Sequence, residues 1–289
     1  MKKHNFKKVS NTKNLKAEKP IFYLNDFLPI QKEEITMISG KGGTGKSFVA
    51  IWLSAMLTKK EKLKVFSYLS EDSVVNSKYR FDILKQKNRY LEGGDFDLFG
   101  KDSCPQSFVE KIDGSLKAST YWFNFISFFA KYDVIILDPL IAFLREDENN
   151  NIEARFLFNL INEWCISQHK TIIILHHHNK NNEIRGATSF VDSVRLHYSI
   201  HIKKDNENSR FLKLEKKNHY RGKDEFEIKL FQKDVLLNNS DNSIEIDINE
   251  TFLSTHNTIV LDTTENETLS KKDLQQLEAL KKEGFNFEG

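Results

Sequence analysis

The chain has 289 residues, with 43 lysines and arginines against 41 acidic residues and a net charge of +2. That length suits one large α/β domain or two small ones, and it is enough to bury a full hydrophobic core. No apolar run reaches the length of a membrane span and no signal-peptide segment stands at the N-terminus, so a soluble, cytoplasmic protein without a membrane partner is expected. Cys104 and Cys165 have no metal-ligand spacing and read as reduced thiols.

Residues 1–19 hold seven lysines against Glu18, which leaves the remainder at −4. This segment is polar and aperiodic and reads as a disordered basic arm. The body is slightly acidic, so a polyanion must be met by a local groove or by the arm. Residues 20–29 turn aromatic and apolar and should pack against the body. Residues 35–38 read as a buried strand, and the stretch from Ser47 onward opens a helix with one apolar face. Between them lies Gly40-Lys41-Gly42-Gly43-Thr44-Gly45-Lys46-Ser47, which fits the phosphate-loop spacing of Gly, four residues, Gly, Lys and Ser or Thr.

Strand, loop and helix in that order make an anion site. The helix N-terminus leaves backbone N–H groups unpaired and adds a positive dipole end. Glycines let the backbone close on phosphate oxygens. Lys46 then reaches the β and γ phosphates, and the Ser47 hydroxyl ligates Mg²⁺. A nucleotide with Mg²⁺ is therefore the expected ligand, held by residues 40–47 and by Phe48 just beyond them.

Further along, residues 64–69 form a strand ending at Ser70-Glu71-Asp72, and residues 74–90 a helix stopped by Gly93-Gly94. Residues 96–99 are a short strand candidate, and residues 101–118 are too irregular to assign. An aromatic helix over 121–129 precedes an apolar strand over 133–138 that ends in Asp138. Such a strand is buried on both faces, and its C-terminal edge is where parallel sheets carry ligands. A polar loop over 146–151, a helix over 152–169 and a strand over 171–175 running into His176-His177-His178 continue the alternation. The pattern predicts a doubly wound, mostly parallel sheet flanked by helices. After a short helix over 188–195, segments at 198–202, 210–214, 225–230 and 235–237 alternate and suggest antiparallel strands extending the sheet. Residues 263–269 read as a linker and 270–283 as an amphipathic helix. The expected division is an arm (1–19), an ATPase domain (20–262) and a linker with a C-terminal helix (263–289).

Asp138 fits the Mg²⁺-side acid of the second phosphate-loop motif. Glu71 ends the strand expected beside the loop, where a carboxylate can orient and deprotonate an attacking water. Three consecutive strand residues point alternately, so the histidine triplet is a poor metal site.

Together, Ser70-Glu71-Asp72-Ser73 with Arg80, Leu137-Asp138-Pro139-Leu140, Leu175-His176-His177-His178-Asn179-Lys180, Arg185-Gly186-Ala187-Thr188-Ser189 through Asp192 to Arg195, and Lys216-Lys217-Asn218-His219-Tyr220 resemble the ordered motifs of RepA-type hexameric ATPases. These are RecA-fold motors that include plasmid replicative helicases. The resemblance covers residues 20–237. It implies a RecA-like P-loop NTPase in which Lys46 and Ser47 take the phosphate and Mg²⁺ positions, Glu71 is the catalytic base, and Asp138 the Mg²⁺-side acid. It also implies that His177 senses the γ-phosphate, that Arg80 lies on the nucleotide side, and that Arg195 serves a neighbour's site. A homo-hexamer acting on single-stranded DNA follows, with Lys180 and Arg185 as the nucleic-acid candidates. A third histidine at His178 and a short stretch from Lys180 to Arg185 depart from the pattern.

The loop, with Lys41 as an extra lysine, also fits the signature of partitioning and site-selection ATPases. Those end the second strand in an aspartate-rich motif, where this chain has Ser70-Glu71-Asp72. A regulator that nucleotide merely gates is a further alternative, opposed by the pairing of Glu71 with Asp138.

Overall fold

A computed structural model describes residues 18–145, 150–178 and 189–231. All of these fall in the first of two compact units, Met1–Asn239 and Ser240–Gly289. Most of the basic arm, the strand expected over 235–237, the linker over 263–269 and the helix over 270–283 lie outside the described residues.

The first strands, β1 (Phe22–Tyr23) and β2 (Ile30–Gln31), pair antiparallel. The turn between them buries Leu24 and Leu28. It is tied to the body by Tyr198 Oη, which donates to the Pro29 carbonyl at 2.7 Å. Next come β3 (Ile35–Gly40), α1 (Lys46–Glu61), β4 (Val65–Leu69), α2 (Val74–Lys87) and β5 (Asp97–Phe99). A hairpin of β6 (Val109–Ile112) and β7 (Ser115–Ala118) leads into α3 (Thr120–Phe128). Then follow β8 (Val134–Asp138), α4 (Asn151–Gln168), β9 (Thr171–His177), α5 (Ser189–Ser193), β10 (Leu196–Lys203), β11 (Asn206–Lys217) and β12 (Glu225–Lys229).

The main sheet has the order β12-β11-β10-β3-β9-β8-β4-β5. It is parallel from β5 through to β10 and antiparallel from β10 to β12. Its central strands are buried along almost their whole length, as their uninterrupted apolar runs require. On one face Ile35, Met37, Phe66, Tyr68, Ile135, Leu137, Ile172 and Ile174 share a core with Trp122 and Phe125 of α3 and Leu157, Phe158 and Trp164 of α4. Alternate residues of the same strands point the other way, where α1 packs on β3, β4 and β8 and α2 packs on α1. The expected doubly wound, mostly parallel sheet with an antiparallel extension is thus present.

Two differences have local causes. The irregular stretch over 101–118 contains the β6–β7 hairpin, whose Asp113 (φ 50°) and Gly114 (φ 78°) supply the two positive φ angles of a two-residue I′ turn. The first of the alternating segments, β10, is antiparallel only to β11; on its other side it pairs parallel with β3, which carries the parallel sheet one strand further. The chain makes that crossover through the segment holding α5.

Phe108 is fully buried and touches the rings of Tyr121, Trp122, Phe125 and Phe143 at centroid distances of 4.6–5.9 Å. Phe108→Ala should cost about 3–5 kcal/mol. The measurement is urea unfolding, in which the midpoint should fall with little change in the slope.

Candidate active site

Residues 40–47 pass from the end of β3 into α1. Gly43 (φ 76°) and Gly45 (φ 82°) take the left-handed conformation that closes the loop, and a Cβ on Gly42 or Gly43 would meet nothing within 4 Å. Helices α2, α3 and α4 are capped by the side chains of Ser73, Ser119 and Asn150. By contrast, α1 begins at Gly45 with no side-chain cap. Its first N–H groups therefore face the loop uncommitted to any capping side chain, the arrangement that receives anions.

The buried Lys46 side chain bends back over the loop, and Nζ donates to the carbonyls of Gly40 (3.1 Å) and Lys41 (3.0 Å). Burial pulls its pKa down, opposed by the carboxylates of Asp138 and Glu71. Thr44 Oγ1 also donates to the Lys41 carbonyl, at 2.8 Å. Ser47 Oγ donates to Asp138 Oδ2 at 2.8 Å, while Asp138 Oδ1, equally buried, has no hydrogen-bond partner. Burial pushes the Asp138 carboxyl up to about 6 despite the Ser47 hydrogen bond. A hydroxyl beside a buried carboxylate with one oxygen unused is a donor set suited to a hard divalent cation. The residues present thus fit Mg²⁺ as well as phosphate.

The Ser70 backbone N–H (2.8 Å) and hydroxyl (3.0 Å) both donate to the Asp138 carbonyl, locking the ends of β4 and β8 together. Glu71 projects just beyond that lock. Its Oε1 lies 3.0 Å from His177 Nε2, and this hydrogen bond holds the Glu71 carboxyl below its ordinary value. The expectation that β4 lies beside the loop strand is corrected: β9 and β8 stand between β3 and β4. Glu71 joins the site because all four strands end on the same edge of the parallel sheet, not because its strand is adjacent.

The three histidines diverge. His176 is buried with its ring edge-on to Phe190, His177 meets Glu71, and His178 Nε2 lies 2.7 Å from Ser39 Oγ. His197 Nε2 approaches the same hydroxyl at 2.7 Å from β10. The structure thereby brings together Lys46, Ser47, Glu71, Asp138 and His177. Arg80 stands nearby on α2, ion-paired to Asp72 and with its guanidinium 5.5 Å from the centre of the Phe48 ring. Arg195 is not part of this cluster. It precedes β10 at the opposite edge of the sheet, where its N–H donates to the Ile35 carbonyl and its Nε lies 3.7 Å from Glu34 Oε1. The length of β3, roughly 16 Å, separates it from the loop. Lys180 and Arg185 lie outside the described residues.

One contributor to the site carries no sequence signal. Arg210 of β11 is buried and donates from Nε to the Thr44 carbonyl at 2.7 Å. Lys216, of the Lys216–Tyr220 motif, lies instead at the Arg195 end of the sheet, where its Nζ donates to the Val191 and Asp192 carbonyls near the end of α5. Both contacts join segments far apart in the chain, which periodicity and motif spacing do not register.

Residues 23–183 match the AAA domain model of the AAA_25 family, and the chain belongs to that family. Its fold is that of the RecA-like P-loop ATPases. Among solved structures, the KaiC-like protein PH0186 from the hyperthermophilic archaeon Pyrococcus horikoshii OT3 is similar with a TM-score of 0.50 and 11% identity, over 73% of this chain and 93% of that one. The flagellar accessory protein FlaH from Methanocaldococcus jannaschii gives 0.49 and 14% identity, over 69% and 86%. The ATPase domain of G40P gives 0.48 and 9% identity, over 64% and 78%. At such identities the likeness concerns fold alone. No curated protein matches the chain. Among the described residues, no helix is long and apolar enough to cross a membrane.

The buried His197 imidazole is pushed down to about 4 by burial, against the charge of Glu215. The unfolded chain takes up that proton near pH 6.5, so the stability His197 contributes at neutral pH is lost as pH falls from about 6.5 through 4. Asp138 acts with the opposite sign, because its raised pKa lets the native state keep a proton that the unfolded chain releases. The difference between a variant and its parent isolates the histidine. His197→Gln should gain about 5 °C in melting temperature relative to the parent between pH 7 and pH 4.5. Parallel melting curves across that range would show that His197 titrates normally.

Proposed function

We propose that the chain is a Mg²⁺-dependent ATPase whose RecA-like domain, residues 20–262, drives a ring-forming motor on single-stranded DNA of the RepA-type helicase kind. The observation that carries the ATPase reading is the hydrogen bond from the half-buried Ser47 to the buried Asp138, which leaves one carboxylate oxygen unused. Bound ATP-Mg²⁺ supplies the γ-phosphoryl group and a divalent charge shared among its oxygens. The loop N–H groups bind the phosphates, and Lys46 leaves the Gly40 and Lys41 carbonyls to meet their charge. Ser47 and an ionised Asp138 hold the cation. Glu71 takes a proton from the attacking water, and the His177 hydrogen bond fixes the direction in which its carboxylate points.

The motor reading rests on the ordered motifs and on the position of Arg195. At the edge of the sheet away from its own loop, this arginine has no path to its own nucleotide. In a closed ring of head-to-tail interfaces it meets the neighbour's, where a guanidinium stabilises charge developing on the transferred group. Lys180 and Arg185 of six subunits form a basic collar for single-stranded DNA, and the proposed location is the cytoplasm.

Glu71→Gln should lower ATP turnover by about 10²-fold or more while leaving nucleotide binding nearly intact, whereas Lys46→Ala should weaken binding itself. Wild-type turnover in Glu71→Gln would remove Glu71 from the role of base. Mixing Arg195→Ala with Lys46→Ala subunits should restore some activity at interfaces that pair one intact face of each. Assembled mixtures with no activity at any ratio would place the arginine elsewhere.

A further inference from the structure

Arg210 is only 4% exposed, and it donates its hydrogen bonds to neutral backbone carbonyls. Its Nε donates to the Thr44 carbonyl at 2.7 Å, and Nη1 donates to the carbonyls of Glu207 (2.7 Å) and Ser209 (3.0 Å). The guanidinium also lies 5.7 Å from the centre of the Phe231 ring, which meets Phe48 edge-on at 5.2 Å. Among the described residues, no carboxylate stands within ion-pair distance of it; Glu207 acts on it only at longer range. A purely structural link between β11 and the loop needs a donor, and a neutral one would serve. A buried cation without a counter-charge is costly to keep in the empty protein.

The position of that cation is informative. A Cβ on Gly45 would stand 2.7 Å from Arg210 Nε and 3.3 Å from Nη2, so the guanidinium presses against the corner where the loop becomes α1. The peptide between Thr44 and Gly45 is trans, and in a trans peptide the carbonyl and the N–H point in opposite directions. Drawing the Thr44 carbonyl onto Arg210 therefore turns the Gly45 N–H away from β11. It also removes a carbonyl dipole that would repel an anion.

We infer that Arg210 is a positioning residue of the phosphate loop, which orients the Thr44–Gly45 peptide and supplies a buried positive charge whose counter-ion is the bound phosphate. This rests on the nucleotide reading above and assigns to β11 a part in phosphate binding. Lys46 meets the phosphates directly. Arg210 acts through the loop backbone and through its field in a low-dielectric setting.

The test uses the full chain, with inorganic pyrophosphate and ATP as probes and affinity as the readout. Arg210→Gln keeps a donor and drops the charge, and it should bind both probes about tenfold more weakly or worse. Arg210→Lys keeps the charge and should bind within about threefold of wild type at pH 7. As pH is raised towards 10 its affinity should fall away from that of wild type, because a desolvated lysine gives up its proton early and an arginine does not. A merely structural role would lower melting temperatures without producing that divergence. Arg210→Lys as weak as Arg210→Gln at pH 7, or both variants matching wild type at every pH, would overturn the inference and leave the nucleotide reading standing. Wild type binding neither probe would overturn both. Should Arg210→Gln fail to fold, the pH profile of Arg210→Lys decides alone.

Discussion

The site depends on one hydrogen bond, from the Ser47 hydroxyl at the start of α1 to the Asp138 carboxylate at the end of β8. It joins the helix that presents the anion-binding N–H groups to the strand that carries the acid, across the carboxyl edge of a parallel sheet. Its surroundings keep that carboxylate buried. Burial raises its pKa, Ser47 occupies one oxygen, and Ser70 holds the backbone carbonyl of the same residue with two hydrogen bonds. A cation reaching that carboxylate would offset the cost of its burial, since a buried acid is easiest to ionise beside a divalent charge.

The neighbouring charges follow the same logic. Lys46 is desolvated and, without an anion, leans on two loop carbonyls. Glu71 is half exposed and stabilised as a carboxylate by His177. Two acids at one sheet edge are therefore set apart by environment, one buried and pushed up, the other solvated, hydrogen-bonded and held down. Such separation is what allows neighbouring carboxylates to take different roles.

The antiparallel extension is more than an edge. β10 brings His197 to Ser39, the residue before the loop, and β11 brings Arg210 to the loop itself. The last described residue, Phe231, then closes on Phe48 at the start of α1. The phosphate loop is thus gripped from the side opposite β9 by residues that arrive 158 to 183 positions later in the chain.

By itself the sequence determined the parts whose physics is local or periodic. The spacing of Gly40, Gly45, Lys46 and Ser47 between a buried strand and an amphipathic helix specifies an anion loop. The uninterrupted apolar runs ending in Leu69, Asp138 and Leu175 specify central parallel strands with their polar ends on one edge, and the alternation after Ser193 specifies the extension. Only the tertiary structure decided which strands are neighbours, because runs buried on both faces carry no mark of order. That is why the Glu71 strand lies three places from the loop strand and why β10 pairs parallel with β3. Tertiary structure alone also decided the partners of Arg210, His178 and Lys216. Each meets an atom distant in sequence, and a single charged or hydrogen-bonding residue on a strand has no period by which its destination can be read.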